Sequence, residues 1–361
     1  MVLIAAITIA AIVFGVLIGV SYNKSLTLSP KALESCKTLS FSGDKALNIL
    51  IFGDKAVAER YSSFLLGITP FVQNKNALNF YYIDSYKPSC ELYKGVALYC
   101  YSKELIKKSA SCPSDYVVVI QDRDSRIRSS SYMNVLSINE KHKLMVFPHE
   151  FGHAFGQFSE EYTPANLMRG SKNCVSSCSE FGEFEDKCFE GCSKGEYYRY
   201  ADSGIMRTLD AQNYGLYDEQ LLTEKLQKQK QTITGKAVDE MTSCSEQEYY
   251  LIEGNYSNGI SEIVYKTIEK GCVGSNGAGQ FRYSIMLNDG REVSEGEFNS
   301  ELIFTDAPIE NGNIDGEVIT YAGAFFLKVP FVENAKELRI SDYEKTISVR
   351  LNDRGARPCE I

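Results

Sequence analysis

The sequence predicts an α+β protein: an N-terminal transmembrane helix, a mixed-sheet domain built around one motif helix, and a C-terminal β-sandwich. Three observations carry this. Between residues 44 and 240, short apolar runs alternate with stretches of helical spacing. From residue 245 onward, alternating runs are split by Gly, Asn and Asp at regular intervals, the pattern of an antiparallel sandwich. Residues 1–20 carry no charge. As a helix they are about 30 Å long, the thickness of a hydrocarbon core.

The apolar start is read as a retained anchor over residues 1–22 rather than a cleaved signal segment. It lacks a basic beginning and a small-residue cleavage site. Residues 23–43, rich in Ser and Lys with one proline, read as a stalk. LNILIFGD (47–54) reads as a buried strand entering a turn, and 55–68 as a helix. NFYYID (79–84), DYVVVIQD (115–122) and YMNVLSIN (132–139) read as further strands, with a helix at 102–110. DRDSRIRSSS (122–131) reads as a solvated loop and YDEQLLTEKLQKQKQ (217–231) as an amphipathic helix closing the first domain. The sandwich, 245–361, carries no chemical motif and is assigned a packing or substrate-positioning role.

Composition bounds the partners. A net charge of -9 argues against nucleic acid, which needs basic surface. Eleven cysteines suit an oxidising space outside the membrane. The count is odd, and the terminal positions of Cys36 and Cys359 make them the expected odd ones out. In the insert at 170–195, Cys174, Cys178, Cys188 and Cys192 are spaced so that two antiparallel helices would pair 174 with 192 and 178 with 188. The rival is a four-cysteine structural zinc site.

The chemistry sits at PHEFGHAFGQFSEEY (148–162). His149, Glu150 and His153 form H-E-x-x-H, which on a helix puts two imidazoles on one face to grip a zinc ion. Glu150 then stands beside the metal as the base for a zinc-activated water. His142, the remaining histidine, reads as an exposed residue among lysines. Zinc needs a further ligand, and no histidine follows residue 153. On an unbroken helix Glu160 would lie about 16 Å along the axis from His149, too far for one ion. The helix must therefore turn back, most cheaply at Gly156, after which Glu160 or Glu161 reaches the metal.

HEFGHAFG followed by EEY resembles the metallopeptidase family named for an immunoglobulin A peptidase, of the metzincin-like zinc peptidases. Members commonly read HEFGHSFGGLADEY. The resemblance implies Glu160 as third ligand. Here Gln157 replaces the second glycine, and glutamate stands for aspartate. Met206 in Gly-Ile-Met-Arg resembles the methionine turn beneath the metal in such enzymes. The tyrosine that some place two residues further is replaced by Thr208, with Tyr214 and Tyr217 as downstream candidates for polarising a substrate carbonyl.

The expectation is a single-pass membrane enzyme, or a secreted one if the N-terminus is cleaved, hydrolysing a peptide or protein substrate outside the cell. One rival is a thermolysin-like site whose third ligand is Glu180, Glu183 or Glu190. The other is a surface binding or adhesion protein that uses the sandwich and keeps the zinc fold as scaffold.

Overall fold

LNILIF is buried at every position but Asn48, because both faces of this strand are covered. Ile49 and Ile51 point to one face, Leu50 and Phe52 to the other, with the two-residue period of a strand. The computed structural model describes residues 33–232, 243–309 and 313–351. The fold is mixed α/β, with one large mixed sheet, several antiparallel sheets and few helices.

In chain order the strands are β1 (Lys37–Ser40), β2 (Leu47–Phe52), β3 (Leu78–Ile83), β4 (Glu91–Tyr93), β5 (Ala97–Tyr99), β6 (Tyr116–Gln121), β7 (Ser129–Tyr132) and β8 (Val135–Asn139). The hairpin β9 (Phe189–Cys192) and β10 (Lys194–Arg199) follows. Then come β11 (Glu248–Ser257), β12 (Ile260–Lys270), β13 (Phe281–Leu287), β14 (Glu292–Phe298), β15 (Leu302–Pro308), β16 (Ile314–Thr320), β17 (Ala322–Pro330), β18 (Ala335–Ser341) and β19 (Thr346–Arg350). The α-helices are α1 (Lys55–Leu65), α2 (Lys103–Ser109), α3 (Val146–Phe151) and α4 (Leu216–Thr232). Asp54 and Ser102 cap α1 and α2, each side chain accepting from a backbone N–H of the first turn.

The large sheet has eight strands in the order β1-β3-β2-β6-β8-β7-β15-β16. Its centre, β3-β2-β6-β8, is parallel, and β1, β7, β15 and β16 join antiparallel. One face packs Ile49, Ile51 and Val118 with Phe147, Phe151 and Met206. The other packs Leu50, Val117 and Val119 with Leu251, Phe325 and Leu327 of the C-terminal strands. Those strands form a three-stranded sheet, β12-β11-β17, and a four-stranded one, β14-β13-β18-β19.

Several expectations change here. The folded part begins before residue 44: Lys37–Ser40 is an edge strand of the large sheet, and Cys36 is bonded to Cys112. Cys36 is therefore not the odd cysteine, and Cys359 lies outside the described residues, as do the anchor 1–22 and residues 23–32 of the stalk. No helix among the described residues is long and apolar enough to cross a membrane. The division near residue 245 does not separate two sheets, because β15 pairs with β7 and carries β16 with it. The segment 122–131 is only partly a loop, since β7 begins at Ser129. Among the described residues the disulfides are Cys36–Cys112, Cys90–Cys100, Cys174–Cys192, Cys178–Cys188 and Cys244–Cys272. The insert has the cysteine pairing read from its spacing, but not the two helices. A short 3-10 segment (Cys178–Phe184) and the β9–β10 hairpin carry it instead.

Candidate metal centre

α3 is buried throughout, wedged by the rings of Tyr61, Phe71 and Tyr116 against Phe147 and Phe151. Pro148 sits in the first turn, where a missing N–H costs no helical bond. The helix runs on through a π turn, Gly152–Gly156. Gly152 has no room for a side chain: a Cβ there would lie 2.4 Å from Met206 Sδ. The reversal expected at Gly156 falls one residue later. Gln157 takes the left-handed conformation, φ 57°, which costs an L-residue about 1–2 kcal/mol. Gly156 is small for another reason, since a Cβ there would meet the Phe158 ring at 2.9 Å.

The reversal brings the chain back over the helix. His153 Nδ1 donates to Phe158 O at 2.7 Å, and His149 Nδ1 to Ile205 O at 2.8 Å. A carbonyl can only accept, so each neutral ring carries its proton on Nδ1 and presents a lone pair at Nε2. Those two Nε2 atoms lie 3.1 Å apart. Glu160 Oε1 is 2.9 Å from His153 Nε2, and its Oε2 is 3.5 Å from His149 Nε2. Asp306 Oδ2, from β15, is 3.4 and 3.8 Å from the same two nitrogens. One atom from each of the four residues lies within 4.8 Å of the others. None of the four residues is more than 3% exposed. Two lone pairs and two carboxylates converging in a dry site need a positive charge between them. The cluster can hold a metal ion, and its donor set of two imidazoles and two carboxylates fits one.

Ionisation follows from this crowding. With no metal between them, burial opposes the Glu160 charge, but the charge of protonated rings at His153 and His149 outweighs it and holds the carboxyl down at about 2; a bound cation would take the place of those ring protons. Burial, reinforced by Glu160, raises Asp306. Glu150 is buried with neither carboxylate oxygen hydrogen-bonded among the described residues, and burial together with Asp306 pushes it well above the usual carboxylate range. A cavity of about 20 Å³ lies beside His153, Ser131 and Phe304, room for about one water.

The cysteine insert grips Glu160 from behind. Ser193 Oγ donates to Glu160 O at 2.7 Å, and Asn173 Nδ2 donates to Ser159 O at 2.9 Å. Both residues flank the Cys174–Cys192 bridge, which thus fixes the backbone of a ligand candidate. Glu161 points elsewhere. Its N–H donates to Met206 O at 3.0 Å, its side chain lies by Asn173 and Asp218, and burial pushes it up to about 7.

The other sequence candidates fall as follows. Met206 is fully buried beneath Gly152, in the loop whose Ile205 carbonyl orients His149. Tyr214 is buried and donates to the Pro148 carbonyl, so its hydroxyl is committed. Tyr217 packs with Phe181, Phe184 and Tyr200 at the insert. Tyr162 is the tyrosine at the cluster, donating to Asp306 Oδ1 at 3.2 Å. Glu180, Glu183 and Glu190 are exposed and outside the cluster. His142 is buried rather than exposed, held by Ser129 Oγ and Ser125 O at 3.0 Å each. Asp306 carries no role in the sequence reading. Its signal was an acidic residue inside the apolar run LIFTDAP, where burial demands a partner.

No known protein-family model matches this chain, and no curated protein sequence matches it.

Proposed function

We propose that the protein is a zinc-dependent peptide hydrolase with its catalytic part outside the cell, anchored through its N-terminal segment. One observation carries the reading: two imidazole Nε2 atoms 3.1 Å apart, with Glu160 beside them and, next in sequence to His149, a buried Glu150 whose carboxylate has no hydrogen-bond partner among the described residues. His149, His153 and Glu160 hold the metal. A zinc ion there would acidify a coordinated water and polarise a carbonyl. Ile205 and Phe158 fix both rings through their carbonyls, which keeps each Nε2 free to ligate. Glu150 takes the proton of the attacking water and returns it to the leaving nitrogen. An oxygenase built on two histidines and a carboxylate has no use for such a base, which favours hydrolysis. The Met206 loop under Gly152 supports the resemblance to metzincin-like peptidases. Five disulfides support an oxidising compartment.

A second reading has one observation in its favour. Asp306 completes a set of four buried protein ligands, the arrangement of a structural metal site. On that reading the metal is scaffold and the β-rich part binds a surface partner. Elemental analysis of the full-length protein, with chelator-sensitive cleavage of denatured casein, tests the first reading. Glu150→Gln should keep the metal and lose cleavage; substantial cleavage by that variant would remove the assignment.

A further inference from the structure

The β15–β16 hairpin is the element that closes the metal cluster. It lies on the outer edge of β7 through four register pairs, from Ile303 opposite Tyr132 to Asp306 opposite Ser129. An extended segment laid antiparallel along a sheet edge beside a hydrolytic centre occupies the place of an extended peptide bound by strand addition. Asp306 Oδ2 is aimed at both imidazoles, at 3.4 and 3.8 Å, and has no hydrogen-bond partner among the described residues. The Phe304 ring stacks on the His153 ring, 4.0 Å between centroids and 14° from parallel. Gly316, opposite Asp306 on β16, leaves the space this needs: a Cβ there would lie 2.0 Å from Asp306 Oδ1 and 2.1 Å from the Tyr162 hydroxyl. The hairpin is divided between cores: Ile303 joins the core shared with the C-terminal strands and Ile314 packs against the other, while its remaining face stands apart. Leu302, Phe304 and Val318 form a small cluster with Met168 alone among the buried residues.

We propose that this hairpin is a built-in inhibitory segment, in which Asp306 fills the coordination position a water needs and Phe304 covers His153. The proposal rests on the hydrolase reading above, and it makes the described conformation a latent one. The active form is a minor state in which the hairpin has left β7 and the position held by Asp306 is open to a small ligand.

The test uses full-length protein loaded with Co²⁺, titrated with acetohydroxamate while the visible spectrum is followed. Wild type should show no spectral change. Asp306→Ala should retain one equivalent of cobalt and change spectrum as acetohydroxamate enters. An open fraction of about 1% in wild type predicts about a 100-fold gain in casein cleavage for Asp306→Ala, abolished by adding Glu150→Gln. Loss of cobalt by Asp306→Ala, or a spectrum still blind to acetohydroxamate, would overturn the proposal and leave a closed structural site. Entry of acetohydroxamate with no casein cleavage would uphold the covering role and remove the hydrolase reading instead. Should Asp306→Ala not fold, Phe304→Ala keeps all four ligands and thins the cover. Its cobalt should pass to EDTA several-fold faster than that of wild type, and an unchanged rate would overturn the proposal.

Discussion

Removing the metal should destabilise the protein by an amount the cluster geometry sets. Glu160 and Asp306 bring carboxylate oxygens within 4.8 Å of each other in a site at 0% exposure. At an effective dielectric constant of about 20, two such charges repel by about 3.5 kcal/mol. A cation between them cancels that repulsion, and a chelator restores it. For a domain of this size, about 2 °C of melting temperature accompanies each kcal/mol, so stripping the metal should lower the melting point by roughly 7 °C. Differential scanning calorimetry with and without EDTA, with elemental analysis of both samples, measures it. Asp306→Asn removes one of the two charges while keeping the shape. Its metal-free form should therefore melt above metal-free wild type. Equal melting temperatures for metal-loaded and metal-free wild type, in samples shown to differ in metal content, would refute the reasoning. A metal-free Asp306→Asn that melts well below metal-free wild type would refute the electrostatic part of it.

Two further outcomes are expected. Glu160→Gln should weaken zinc binding by about 100-fold or more, because that carboxylate lies 2.9 Å from His153 Nε2, whereas Glu161→Gln should change it by less than about 10-fold. Competition titration against a chromophoric chelator reads both, and a reversed order would move the ligand to Glu161. Lys328 is fully buried, donates to Ser109 and Ser114, and is lowered by burial to about 8 from an unfolded value near 10.5. Between those values the unfolded chain holds the extra proton, so this lysine makes stability rise with pH from about 8 to 10.5; below 8 it is charged in both states and adds no slope. Over that window the gain is on the order of 3 kcal/mol. Urea unfolding of wild type should show it relative to Lys328→Met, and parallel pH profiles for the two would refute it.

Much of the local design was legible in the sequence. The spacing of His149 and His153 forces both rings to one helix face whatever surrounds them, and the apolar neighbours Phe147, Phe151 and Phe155 required burial. The all-apolar run of β2 implied a strand covered on both sides. The spacing of the insert cysteines carried their pairing even though the elements between them are not helices, because closing two nested loops needs only the ends to meet. The choice of Gln157 over Gly156 for the left-handed turn was not legible, since it depends on Phe158 needing the space above Gly156.

The tertiary structure alone decided what surrounds the half-site. Asp306 reaches the histidines because β15 adds to β7, a pairing between segments far apart in sequence that no local period encodes. The same pairing merges the C-terminal strands with the sheet that carries the metal motif. It also brings Asp306 against Tyr162. Sequence patterns report what one segment does to itself: its period, its caps, its turns. Which edge of a sheet another segment covers follows from shape and register across the whole chain. That contact determines here whether two histidines and a glutamate form an open metal site or a closed one.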